Sequence, residues 1–399
     1  MIKIFDAIII GGGAAGLFCA YQLAGQAQEV LLLDHNHKLA RKIKVSGGGR
    51  CNFSNLDIQP NHYICPSPHF VKPALKNFTN QDFIQLIDEH QIAYEEKELG
   101  QLFTINGSHE IIELLLKLCH QNKVIIEHPI KLETIDYKDE LYHLTYHDKE
   151  LDKSFNAQAK NLIIATGGLS FKGLGASGLG YKIAEQFGHH ITPLSPALVG
   201  LKCHENFQPL SGISILGKVC FKNQEFTHQI LFTHFGLSGP AILQISNYWQ
   251  NDMPIYIDFL VQTSFAKLVD EARKNKPKST AYSLLKPYLP RRFIDYILAD
   301  YTFASKNISE LSRKQINLLQ IQLHEYAITP ISTIGYNKAE VTRGGIDVTE
   351  IQSKSMESKK QKGLFFIGEV LDVTGHLGGY NLQWAWSSAS LAAQYISLK

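Results

Sequence analysis

The chain has 399 residues, 44% of them hydrophobic and 19% charged, with a formal net charge of +2. That is ordinary for a globular protein and supplies two or three domains with a sizeable core. No basic stripe or acidic tail stands out, so neither nucleic acid nor a charged membrane surface is an expected partner.

The six cysteines, at 19, 51, 65, 119, 203 and 220, are scattered and form no CxxC pair. Neither a disulfide framework nor a zinc site is supported, and a reducing cytoplasm fits best. Residues 7–25 are almost free of charge and about as long as a membrane span. Asp6 at their edge, three adjacent glycines and the lack of a basic leader speak against a signal peptide or membrane helix.

IFDAIII (4–10) reads as a buried parallel strand, apolar throughout. GGGAAG (11–16) is a turn into the helix-like LFCAYQLAG, and EVLLLD (29–34) is a second strand ending in an acid. The unit is therefore βαβ, and its turn carries Gly11-x-Gly13-x-x-Gly16, with Ala14 and Ala15 between the last two glycines. A lone GxGxxG is weak, but here strand, helix, second strand and acid all stand in place. Gly11 allows the tight turn, Gly13 a close approach of a pyrophosphate, and Gly16 close helix–strand packing. The helix N-terminus offers free N–H groups to phosphate. Asp34 can accept from ribose hydroxyls and would repel a 2′-phosphate.

Residues 70–120 are mostly helical, with a clear period in HEIIELLLKLCHQ (109–121). KVIIEHPIKL (123–132) is a strand. LETIDY, ELYHLTYH and SFNAQAKNLIIAT form an antiparallel meander leading into the buried strand NLIIAT (161–166). Residues 191–260 are β-like, 264–326 helical and charged, and 328–349 β-like again. The last block, GLFFIGEVLDVTG then NLQWAWSSASLAAQYI, is strand, loop, helix, and returns to the α/β style of the first 190 residues.

A strand ending in Ala165-Thr166-Gly167-Gly168 after a meander, and a late one ending in Gly368-Glu369, point to FAD rather than NAD as the dinucleotide. The longer motifs are more specific. KVSGGGRCNFSN (44–55), ATGGLS (165–170), THFGLSGPA (233–241), VTRGGI (341–346), MESK (356–359) and GEVLDVTGHLGGYNLQWAWSS (368–388) resemble the bacterial HI0933-like family of NAD(P)/FAD-dependent oxidoreductases, nearly end to end. The resemblance implies an α/β fold. Its Rossmann-like FAD domain, of the glutathione-reductase type, would be discontinuous (1–190 and 350–399). An inserted β-barrel-like domain (191–263 and 327–349) and a helical domain (264–326) would interrupt it.

With the resemblance, KVSGGGRCN becomes a second backbone approach to the same FAD. Ser46, Gly47, Gly48 and Gly49 would pass along the pyrophosphate. Arg41 joins the set, Lys42 and Arg50 would offset phosphate charge, and Asn52 would bond the flavin ring. Cys51 lies in this stretch; a thiolate lowered by Arg50 is the alternative reading of it. Leu132 and Asp372 join the expected cofactor contacts. Gly379, Tyr380, Asn381, Leu382 and Gln383 introduce the last helix, whose N-terminus would face charge on the reduced ring. Family members carry GSTGDG where this chain has Gly175-Ala-Ser-Gly-Leu-Gly180, so a polar role at Leu179 is missing.

GLGASG (173–178) follows no strand and reads as an irregular loop near the flavin. GISILGKV (212–219) ends in Val219 where a phosphate loop needs Ser or Thr. None of the 17 histidines sits in HExxH, and no metal is expected. No second dinucleotide domain is visible, so NAD(P)H would dock directly over the flavin, or the substrate would reduce it.

Two classes of function follow. The first is an FAD-dependent oxidoreductase exchanging hydride between flavin N5 and a small organic substrate, by amine C–N oxidation or by reduction of an activated C=C. The second is a flavin redox sensor that docks a protein partner. The first is favoured, because two inserted modules over a flavin would make an enclosed pocket. The catalytic acid or base is not legible; Arg343, Tyr336, His376 and Tyr380 are the candidates.

Overall fold

The run IFDAIII forms β1 (Ile4–Ile10) in a computed structural model that describes residues 3–398. Helix α1 (Ala14–Ala24) follows, then β2 (Val30–Leu33). Ala7 to Ile9 are fully buried, as expected of a strand with a neighbour on each side and helices over its faces. Burying each isoleucine contributes about 1.5–3 kcal/mol.

Helix α2 (His109–Gln121) buries Ile111, Leu114, Leu115, Leu118 and Cys119, the stripe its period predicts. It leads to β3 (Ile125–Glu127), which pairs in parallel with β2. Then come β4 (Ile130–Lys138), β5 (Leu141–Asp148) and β6 (Lys153–Ile164). The sheet order is β3-β2-β1-β6-β5-β4. Strand β6 serves two pairings. Its first half is antiparallel to β5, with Phe155 opposite Tyr146. Its second half runs parallel to β1, with Ile163 opposite Ile9.

The chain then enters a second unit. Two compact units result, 1–196 with 340–399, and 197–339. In the second, β7 (Ser214–Phe221), β8 (Gln224–Thr233) and β9 (Ile255–Asp258) belong to a seven-stranded antiparallel sheet. Helices α3 (Phe265–Asn275), α4 (Arg291–Leu298) and α5 (Arg313–His324) pack with it. Phe293 of α4 lies 5.5 Å from the ring of Phe232 and 4.7 Å from that of Phe259.

Two expectations change. Residues 264–326 are not a helical domain of their own, because their apolar faces share one core with the sheet. The expected boundaries at 190 and 350 move to 196 and 340. The near phosphate-loop motif at 212–219 lies largely in strand β7, paired with β8, so it presents no helix N-terminus.

Back in the first unit, β10 (Leu364–Phe366) adds in parallel to β6, with Phe365 opposite Ile163. The chain ends in α6 (Tyr380–Ser397). Trp386 of α6 is fully buried, stacks on Phe83 at 4.6 Å, and donates to the Phe53 carbonyl at 3.0 Å. No helix among the described residues is long and apolar enough to cross a membrane.

Candidate dinucleotide site

The turn between β1 and α1 is fixed by contacts only glycine permits. Gly11 has φ +114°, and a Cβ there would lie 2.5 Å from the Ala165 carbonyl oxygen. A Cβ on Gly16 would lie 1.8 Å from the Gly11 oxygen. Gly13 is the opposite case: a Cβ there would meet no protein atom within 4 Å. Its open face lies at the start of α1, which has no side-chain cap and no acid in its first turn. Free N–H groups beside open space form a cradle for a phosphate group. Ala14 and Ala15 lie in that first turn, Ala15 buried and Ala14 half-buried.

Asp34 sits at the end of β2, nearly buried. Its carboxylate accepts from the backbone N–H groups of Gly12 and Asn36, both at 2.7 Å. The acid thus steadies the glycine turn. Asn36 also accepts from Arg41 at 3.3 Å, and a second Arg41 nitrogen reaches the Gly173 carbonyl at 3.2 Å. The GLGASG loop is therefore tied to this end of the site. The Ile130 N–H donates to the Asp34 carbonyl at 2.9 Å, which brings the β4 segment holding Leu132 alongside.

The second glycine stretch follows a short helix, Arg41–Val45. Gly47, Gly48, Gly49 and Cys51 all have positive φ, at 56°, 68°, 89° and 45°. Such a left-handed run suits glycine and strains most other residues. The Gly49 carbonyl accepts from the Ser108 N–H at 2.8 Å, and the Arg50 carbonyl from the Thr104 N–H at 3.0 Å. The Ser46 hydroxyl donates to the Ile43 carbonyl at 2.8 Å. A Cβ on Gly48 would meet nothing within 4 Å, so this loop also presents bare backbone.

Its charged neighbours act differently from the expectation. Arg50 pairs with Glu95 at 2.8 Å instead of standing free for a phosphate. Lys42 pairs with Glu369 and donates to the Ser170 hydroxyl at 2.7 Å. Cys51 is fully buried, and burial pushes its thiol up to about 12, which removes the lowered-thiolate reading.

Glu369 is the hub of this region. Besides Lys42 it accepts from the Ser170 hydroxyl at 3.1 Å and the Thr342 N–H at 2.9 Å. The Thr342 hydroxyl in turn accepts from the N–H groups of Leu169 and Ser170, at 2.8 and 3.1 Å. These bonds hold ATGGLS, VTRGGI and the Gly368-Glu369 turn together. A Cβ on Gly168 would lie 2.6 Å from the Thr342 hydroxyl, and Gly167 has φ +70°. The Thr166 hydroxyl is buried with no protein partner among the described residues. Ser170 and Thr342 were inside quoted motifs, but no periodic signal separates them from their neighbours.

The last helix starts at Gly379, where a Cβ would lie 2.2 Å from the Ser54 carbonyl oxygen. No side chain caps this end and no acid lies in its first turn. Two expected ring contacts are otherwise engaged. The Asn381 amide clamps Gly375, accepting from its N–H at 2.8 Å and donating to its carbonyl at 3.0 Å. Gln383 is fully buried, accepting from the Ser54 hydroxyl at 2.7 Å and donating to Ser387 at 3.0 Å. Their side chains hold the fold, and the Tyr380 carbonyl accepts from the Tyr63 hydroxyl at 3.0 Å. Asn52 places its amide 3.3 Å from Gln101.

Around this end stand four rings. Tyr380 lies 4.9 Å from His62, 6.1 Å from His376 and 6.2 Å from Tyr63. Burial and the neighbouring His62 pull His376 down to about 4, and burial pushes Tyr380 up to about 12. Arg343 is half-buried, and burial lowers it while the Asp372 charge opposes that shift. Asp372 accepts from the Thr192 hydroxyl at 2.8 Å, and burial raises its pKa. Tyr336 belongs to the other unit.

The profile of the HI0933-like protein Rossmann domain matches residues 5–395. The chain belongs to the HI0933-like family. Among curated proteins, the chain is similar to one from Haemophilus influenzae called ribosomal RNA dihydrouridine synthase, 44% identical with both chains covered in full. A protein of the same name from Escherichia coli is 42% identical, over 98% of this chain and 97% of its own. A 3-dehydro-bile acid delta(4,6)-reductase from Clostridium scindens is 29% identical, over 97% of each. Among solved structures, the 3-ketosteroid-delta4-(5alpha)-dehydrogenase of Rhodococcus jostii superposes with a TM-score of 0.51 at 12% identity, over 98% of this chain and 97% of its own. That likeness shows the fold alone. The HI0933-like chain described here is an oxidoreductase of the FAD-dependent class.

Proposed function

We propose that the protein binds FAD along its two glycine stretches and reduces the C5=C6 bond of a uridine in ribosomal RNA to dihydrouridine. The observation that carries this is end-to-end relationship at 44% and 42% identity to two proteins named for that product. The chemistry agrees with the more distant relative, whose name describes reduction of ring double bonds in a 3-oxo compound. Both are additions of hydrogen to a C=C conjugated with a carbonyl, one of the two reactions the sequence left open. RNA then replaces the small molecule expected from composition.

The cofactor residues fit this role. Gly11, Gly13, Gly16 and the start of α1 would take the pyrophosphate, and Asp34 the ribose. The 46–49 backbone and the start of α6 would take the remainder, with NAD(P)H as the reductant of the flavin. Reduced FAD supplies a hydride equivalent. The substrate then needs a proton at C5 and a partner for charge on the C4 oxygen. Tyr380, raised to about 12, holds its proton at neutral pH and is our candidate donor. His376, lowered to about 4, is uncharged there and can only relay. Arg343 is the candidate for the C4 oxygen.

The test uses FAD-loaded protein, NADH or NADPH, and unmodified ribosomal RNA transcripts. Nucleoside mass spectrometry is expected to find dihydrouridine in one of them, and less with Tyr380→Phe. If both transcripts remain unmodified while the protein turns over small enones or amines, the reading is wrong.

A further inference from the structure

The overall balance of +2 conceals an uneven distribution. Between residues 273 and 314 there are ten Lys and Arg against three Asp and Glu. All ten are exposed. Arg291 pairs with Asp295 at 3.7 Å, one helical turn away.

The fold draws seven of these cations to one end of the helices. Arg273, Lys274, Lys276 and Lys278 lie at the C-terminal end of α3 and just beyond it. Lys306, Arg313 and Lys314 lie before and in the first turn of α5. Three bonds join the two groups. The Ile308 N–H donates to the Ser279 carbonyl at 2.7 Å, the Ser309 N–H to the Pro277 carbonyl at 3.2 Å, and Arg273 to the Leu311 carbonyl at 2.6 Å. Among the described residues, none of the seven forms an ion pair. Three acids lie near them in sequence, Asp270, Glu271 and Glu310, and Glu310 is turned to the Asn307 backbone N–H at 3.2 Å.

Clustered cations without acidic partners repel each other, and apart from Arg273 none of the seven makes a bond among the described residues that joins the two segments. A phosphate backbone would offset that repulsion by releasing its own counterions. We infer that this end of α3 and α5 is an RNA-docking face, which grips the phosphates of the ribosomal RNA substrate without reading its sequence. The identity of the occupant rests on the proposed function; the face itself rests on the charge and the three bonds. The composition-based expectation of no nucleic acid averaged this face away.

The test replaces Lys276, Lys278, Lys306 and Lys314 together by Gln, keeping Arg273 because it holds the Leu311 carbonyl. A control replaces the exposed Lys117, Lys123, Lys131 and Lys138 of the other unit. The probes are labelled small- and large-subunit ribosomal RNA transcripts, and vesicles of phosphatidylglycerol with phosphatidylcholine. Circular dichroism and bound-flavin absorbance check that each variant is folded.

The expected result is RNA binding weaker by about tenfold or more in the first variant. Its slope of log K against log salt should be shallower by about 3, since each phosphate contact contributes about 0.7–0.9. The control should keep both. An unchanged slope in the folded variant overturns the inference, even if wild type makes dihydrouridine. A loss confined to vesicle binding also overturns it. Weaker RNA binding by the variant, with no dihydrouridine from wild type, upholds the face and sinks the proposed function instead.

Discussion

At the scale of single residues, burial decides what the reactive groups can do. Cys51 sits beside a cation in sequence, which suggested a thiolate, but Arg50 turns to Glu95 and the thiol is enclosed. Cys51→Ser should therefore keep FAD content and turnover, and lose about 1–2 kcal/mol of stability from a buried hydroxyl. Native alkylation mapped by mass spectrometry should miss Cys51 until the protein unfolds. His376 gives a prediction of opposite character. Its folded pKa is depressed to about 4, so the unfolded chain binds the proton first as pH falls. The stability it contributes is present above about 6.5, the ordinary histidine value, and is lost as pH falls through 4. Chemical denaturation between those limits should show this decline, and His376→Asn should flatten it.

At the scale of elements, the glycine turn was legible because its constraints are local. Gly11 and Gly16 touch across a single turn, so spacing alone carried the message. Those constraints separate two substitutions that look alike in sequence. Gly13→Glu points into open space and should leave the fold intact while abolishing FAD binding, read as lost visible absorbance. Gly16→Val drives a side chain into the Gly11 carbonyl and should cost about 3 kcal/mol or more in a urea melt. The hub at Glu369 was not legible. Lys42 and Glu369 are 327 positions apart, and nothing periodic links them. The same holds for Asn381 and Gln383. Their motif put them among the expected cofactor contacts, and only the fold shows their amides turned inward to Gly375 and Ser54.

At the scale of the molecule, the sequence divided the chain into three and the fold divides it into two. The helices of 264–326 looked separate because their surface is charged; their buried faces, Phe293 above all, belong to the neighbouring sheet. Every residue proposed to hold the cofactor falls in 1–196 and 340–399. Calorimetry should then resolve two transitions, with added FAD raising the Tm of one and leaving the other unmoved.

Strand β6 carries a consequence for the order of assembly during translation. Its second half is flanked on one side by β1, from the start of the chain, and on the other by β10, which emerges only near the end. The segment 197–339 is contiguous and contains all its own strands. On the ribosome it can be finished while the unit that encloses it in sequence is still open. The sheet of the first unit is completed only when residues 364–366 leave the exit tunnel and pair with β6, after the whole of 197–339 has been made.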